Sequence, residues 1–129
     1  MTHLRMVILA MTGSAALLLG ALSFQYLADL APCKMCYWQR YPHATAIIFG
    51  FGFLLLKHWS MLCLGAASAL VTALIGIYHL GVEGGVWQGP TSCTSGAIDG
   101  LSTEALLAQI MAAPMVRCDQ VAWELLGLS

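Results

Sequence analysis

Residues 32–43 read PCKMCYWQRYPH, two cysteines three positions apart with an arginine four positions after the second. That set can do redox chemistry. A thiolate is the nucleophile of disulfide exchange, and it forms more readily at a helix start and beside a cation. Pro32 suits the first turn of a helix, where its missing N–H costs nothing, so Cys33 is expected at a helix start. Cys36 and Arg40 stand at i and i+4 and share a helical face. A guanidinium keeps its charge at any working pH. Arg40 can therefore hold a thiolate at Cys36 and donate to a carbonyl oxygen of a bound ligand. The plainer reading of Arg40 is an interfacial anchor with its stem in lipid.

Three more cysteines complete the five. Cys63 falls within an apolar run, where a cysteine most often serves as a small buried hydrophobe. Cys93 and Cys118 lie in the last third of the chain. Four thiols admit three pairings. If Cys33 and Cys36 form a redox pair, Cys93 and Cys118 form the other and close a long loop. As a plain staple that bond stabilises by roughly 3 kcal/mol in the chain-entropy model, but a staple does not explain a CxxC beside an arginine. Structural zinc usually takes two close-spaced ligand pairs. One such pair is present, so no metal is expected. His43 and His79 lie near the outer ends of two runs and would allow an axial pair for haem. His79 and Glu83, at i and i+4, could instead deliver protons to a ligand.

The elements that position these side chains are written in the charge pattern. The chain has 129 residues, 60% hydrophobic and 9% charged, where a soluble domain carries about a quarter charged. A formal net charge of −1 gives no footprint for nucleic acid. No charge falls between Met6 and Ala28, between Tyr41 and Leu56, or between His58 and Val82. A helix crosses the hydrocarbon core with about 20 apolar residues. The expected fold is an all-α membrane protein, a transmembrane helical bundle in a single domain (1–129), with spans at about 6–28, 36–56 and 60–80 and a loop over 81–129. The first run is too long for a signal-peptide core of about 7–15 residues. Pro42 should kink or restart the second helix. KHWS reads as a tight turn, and GAASA permits close helix contact.

Lysine and arginine scarcely orient the bundle, with Arg5 and Lys57 on one side against Lys34, Arg40 and Arg117 on the other. All six acidic residues (Asp29, Glu83, Asp99, Glu104, Asp119 and Glu124) and four cysteines fall on the second side. Disulfides persist outside the cytosol, so that side is assigned to a periplasm-like compartment. From Gly81 the chain reads as irregular loop. STEALLAQIMA then reads as a short interfacial helix capped by Ser102, with Leu106, Leu107, Ile110 and Met111 toward the headgroups. Trp87 and Trp123 suit the same interface. A dithiol at the lipid boundary can pass electrons to a lipid-soluble acceptor, for which a quinone is the obvious choice. A loop pair can reach a water-soluble partner, and the chain reads as a relay between the two.

PCxxC followed by QR, a third run ending YHLGVEGGVWQGPTSC and a later RCDQVAWELLGLS together resemble the disulfide bond formation protein B (DsbB) family over essentially the whole chain. In bacteria the DsbA–DsbB–quinone chain keeps the periplasm oxidising. The resemblance implies an inner-membrane thiol oxidase with a bound quinone, ubiquinone or menaquinone. It implies that Cys33 and Cys36 lie nearest the quinone, that Cys36 engages it, and that Arg40 stands beside it; His79 is grouped with them as a quinone-side residue. It also implies that Cys93 and Cys118 form the loop disulfide and that Cys93 takes the mixed disulfide with a soluble DsbA-like, thioredoxin-like partner. In the vitamin K epoxide reductase family the CxxC comes late, so the order here favours DsbB. The family continues into a fourth span after its last cysteine, whereas this sequence stops at Ser129, where that helix should begin. The expectation is three spans of four, as a truncated product or a three-helix form. The competing readings are a haem-binding subunit and a non-catalytic protein with a structural loop disulfide.

Overall fold

The computed structural model describes residues 2–90, 93, 100–112 and 116–120. Among them are four helices and no strand: α1 (Thr2–Tyr26), α2 (Lys34–Leu56), α3 (Trp59–Glu83) and α4 (Thr103–Ala112). The first three have 25, 23 and 25 residues, or about 35–38 Å each at the α-helical rise. They run up, down and up. α2 is the middle helix, packed most extensively on α3 and less so on α1, while α1 and α3 barely meet.

Small and polar side chains hold these seams together. Gly65 of α3 faces Phe49 and the Ala46 carbonyl of α2, as the small-residue stretch suggested. The Thr45 and Ser68 hydroxyls meet across the same seam at 3.2 Å. On the other side of α2, a Cβ at Gly50 would collide with Met11 of α1, and His43 meets Ser14 at 3.3 Å. Residues His3–Tyr26 and Trp59–Glu83 are each long and apolar enough to cross a membrane, and neither stretch is buried in the protein. Leu9, Leu19, Phe51, Leu55 and Ile77 all point outward. α2 has the length to span, but its first turns carry Lys34, Gln39, Arg40 and His43.

Several expectations are corrected. α2 starts at Lys34 because the Cys33 sulfur caps it, accepting from the Cys36 N–H at 3.2 Å with Cys33 in extended conformation. Pro32 therefore lies outside the helix rather than in its first turn. α2 does not restart at Pro42. Thr72 of α3 donates to the Gln39 carbonyl at 2.9 Å and Thr45 to the Pro42 carbonyl at 3.0 Å, so the helix runs through the proline with its neighbouring carbonyls bonded to threonines. α3 runs on to Glu83 and stops at a pair of glycines, Gly85 taking φ 67°. Cys63 is exposed rather than buried, because α2 covers the opposite face of α3. The KHWS turn is as expected: Lys57 takes the left-handed conformation and the His58 side chain caps α3.

Past α3 the chain folds back on itself. The Trp87 ring lies against Gly81, where a Cβ would collide with it. Its indole donates to the Tyr78 carbonyl at 2.8 Å, and the two rings stack at 6.0 Å. The Tyr78 hydroxyl donates to the Gln88 carbonyl at 3.1 Å. Trp87 thus pins the start of the loop to the end of α3. Ser102 caps α4, accepting from the Ala105 N–H at 3.3 Å. Leu107, Ile110 and Met111 are exposed along it. Asp99, Trp123 and Glu124 lie outside the described residues.

Candidate functional site

Among the described residues, the buried apolar side chains are Cys33, Met35, Val82, Cys93 and Cys118. They form one cluster, with Cys36 and Val116 packed against it. The buried core of the described residues is thus largely a set of sulfurs. It sits where α1 ends, α2 begins and α3 ends. The helix cap places Cys33, the first turn of α2 places Cys36, and the last turns of α3 place His79 and Val82. The loop cysteines are brought in by backbone hydrogen bonds, from the Cys93 N–H to the Pro90 carbonyl and from the Cys118 N–H to the Cys93 carbonyl, both at 2.8 Å. The sequence reading carried this pair outward toward solvent. The structure buries both, because they pack on Met35 and Val82.

The Cys33 and Cys36 sulfurs are 2.8 Å apart. His79 Nε2 is 3.5 Å from the Cys33 sulfur and 3.5 Å from a Glu83 carboxylate oxygen. The ligating atoms of Cys33, His79 and Cys118 all lie within 4.8 Å of one another. Cys33 does not have the lowered pKa that a helix start suggests. Its hydrogen bond with the Cys36 thiol, and then its burial, push the Cys33 thiol up, outweighing the Cys36 N–H that favours a thiolate. Arg117 and Asp119 bracket Cys118 and pair with each other, Nε to Oδ1 at 2.9 Å. That pairing holds the Asp119 carboxyl below the usual range.

Beside the sulfurs lies a cavity of about 650 Å³, within the range of small-molecule sites. Cys33, Cys36, Arg40, His43, His79 and Glu83 border it, Leu17 and Phe24 of α1 form an apolar wall, and Val116 and Arg117 border it from the loop. Four predicted residues, Cys33, Cys36, Arg40 and His79, therefore share one cavity. Cys118 touches the site through Cys33, and Cys93 stands behind Cys118. The expected contact of Arg40 with Cys36 is not the one made. The guanidinium is held from α1, donating to Gln25 Oε1 and to the Ala21 carbonyl, and lies 5.1 Å from the Tyr37 ring centre. The Gln25 amide also donates to the Tyr37 hydroxyl at 3.4 Å. Sequence reasoning missed Gln25; the signal was an amide inside an otherwise apolar run, where polar side chains are functional suspects.

Exposed apolar helices around a buried group of thiols define a class: helical membrane proteins built for thiol chemistry. Residues 3–129 match the family described as Disulfide bond formation protein DsbB, and the chain belongs to that family. It is an integral membrane protein and an oxidoreductase of disulfide formation. It is similar to the Uncharacterized protein RP370 of Rickettsia prowazekii (strain Madrid E), with 27% identity over 117 residues covering 84% of this chain and 68% of the relative. No solved structure matches.

Proposed function

We propose that this protein is a membrane thiol oxidase that reoxidises a soluble, thioredoxin-like DsbA-type partner and passes the electrons to a membrane quinone, ubiquinone or menaquinone. In this reading α2 is a third span and the sulfur cluster faces the periplasm of a bacterial inner membrane. The observation that carries the proposal is the approach of Cys118 to Cys33, within 4.8 Å, at the edge of a cavity that also holds Cys36 and Arg40.

The exchange among the chain's own sulfurs balances. A partner thiolate attacks Cys93 of the Cys93–Cys118 disulfide, and Cys118 leaves as a thiolate. Cys118 attacks Cys33 of the Cys33–Cys36 disulfide, forming Cys33–Cys118 and releasing Cys36. The partner's second thiolate resolves its mixed disulfide and frees Cys93. Cys93 then attacks Cys118, restoring the loop disulfide and releasing Cys33. The partner has lost two electrons, and Cys33 and Cys36 are the reduced pair. The partner gains access to Cys93 when the loop parts from α2 and α3.

The cavity suits a quinone on its own chemistry, having apolar walls for a ring and tail and donors for a carbonyl oxygen. Arg40 and His79 would hold it, with Cys36 as the nearest thiolate. Bound there, a quinone supplies a two-electron, two-proton acceptor for the dithiol. Arg40 provides a charge beside a developing negative oxygen. His79 and Glu83 offer a proton path from Cys33.

The test is quinone reduction by membranes carrying the chain, with reduced partner as donor. Cys33→Ser and Cys36→Ser are expected to abolish it. Cys118→Ser should stop partner oxidation but leave quinone reduction by a small dithiol, which reaches Cys33–Cys36 directly. Turnover with partner in either Cys33→Ser or Cys36→Ser refutes the relay.

A further inference from the structure

The relay needs Cys33 and Cys118 to meet, but it does not require an imidazole to meet them both. His79 completes a group of three ligand atoms within 4.8 Å of one another, on residues that are 5%, 8% and 0% exposed for Cys33, His79 and Cys118. We propose that in the four-thiol state Cys33, His79 and Cys118 form a site for a soft divalent cation, zinc foremost, and that its occupancy arrests the protein with the loop clamped to α2 and α3. The arrest rests on the relay reading; the binding does not.

Ligand type, spacing and charge agree. Two thiolates and an imidazole are a zinc donor set, and zinc bonds of about 2.3 Å to sulfur and 2.0–2.1 Å to nitrogen give tetrahedral edges of roughly 3.5–3.8 Å. The Cys33 sulfur and His79 Nε2 already stand at 3.5 Å. The other separations, bounded by 4.8 Å, need to close by about 1 Å. Two thiolates cancel the charge of the ion, so the buried site is neutral and the penalty for burying net charge is avoided. Three protein ligands leave a fourth position, which a water can take without changing the charge. Paired cysteine spacing along the sequence does not reveal this set, because its third member is a histidine from α3.

Binding moves protons and no electrons. Cys33 and Cys118 each give up one proton, and His79 coordinates as the neutral ring, leaving Glu83. Disulfides offer no thiolate, so the oxidised protein has no site. The ion therefore competes with reoxidation for the same two sulfurs.

The test uses the full chain in lipid nanodiscs, reduced and free of oxygen, with cobalt(II) as the probe. One equivalent should produce a thiolate-to-cobalt charge-transfer band and tetrahedral ligand-field bands. Zinc should displace it with release of two protons per ion relative to the metal-free protein. The oxidised protein should show neither. Cys118→Ser and His79→Gln should weaken binding at least tenfold, and Cys63→Ser should leave it unchanged. X-ray absorption on the zinc-loaded wild type, which needs no variant to fold, should show sulfur and a single imidazole nitrogen. Absence of the charge-transfer band, unchanged cobalt affinity in Cys118→Ser or His79→Gln, or an all-sulfur shell overturns the site. Quinone-linked turnover of the metal-free protein is measured separately, so a failed relay and a failed metal site give different results.

Discussion

A chain that keeps only Cys33 and Cys118, made by Cys36→Ser, Cys63→Ser and Cys93→Ser, should close a disulfide between them far more readily when folded than when unfolded. With one sulfur confined within 4.8 Å of the other, its effective concentration from that volume alone is about 4 M, a lower bound for groups that are also oriented. In the denatured chain about 85 residues separate the two, giving an r.m.s. distance of about 50 Å and an effective concentration of a few millimolar. The ratio is about a thousandfold, or ~4 kcal/mol. The assay equilibrates the protein with glutathione buffers, in nanodiscs and in denaturing detergent, then alkylates the free thiols and weighs the products. Equal equilibrium constants in the two states would show that the sulfurs are not held together, and the exchange between the two pairs would lose its structural basis.

Three other outcomes follow from particular contacts. Gly81→Ala should destabilise the protein by about 1–3 kcal/mol through collision with the Trp87 ring, and by much less in a Trp87→Ala background; additive effects in a detergent unfolding series would contradict the packing. Gln25→Leu removes a hydrogen bond to a charged group, and such bonds contribute ~1.5–3 kcal/mol, so the KM for quinone should rise at least tenfold; an unchanged KM would mean that Gln25 does not set Arg40. The third concerns pH. The Cys36 thiol is the main reason the Cys33 thiol is pushed above its ordinary 9.0. Alkylation of Cys33 in the dithiol form should therefore stay slow past that pH, and the profile should move to lower pH in Cys36→Ala. A profile indifferent to Cys36 would refute the shared proton.

Long-range order in this chain was legible where it follows from composition. The uncharged runs gave three long helices to within a few residues, and Ser102 was recognisable as a cap because hydroxyls favour that position. What escaped was set by side chains meeting across elements. Cys33 was placed at a helix start, but its use as the cap, and the way the Cys36 thiol then outweighs the favourable N–H, depend on two sulfurs meeting. Arg40 was read against its neighbour on the same helix, whereas its hydrogen-bond partners, Gln25 and Ala21, come from α1. Cys63 was read as buried because an apolar run does not say which of its faces meets protein and which meets lipid. The loop cysteines were sent toward solvent because a glycine- and serine-rich stretch shows no sign of the packing on Met35 and Val82.

The meagre contact between α1 and α3 has a consequence for traffic. These two helices form opposite walls of the cavity and lean on α2 rather than on each other, so a seam runs between them along the bundle's length. If the cavity takes the proposed quinone, the flat ring would enter sideways through that seam, trailing its hydrocarbon chain in the bilayer.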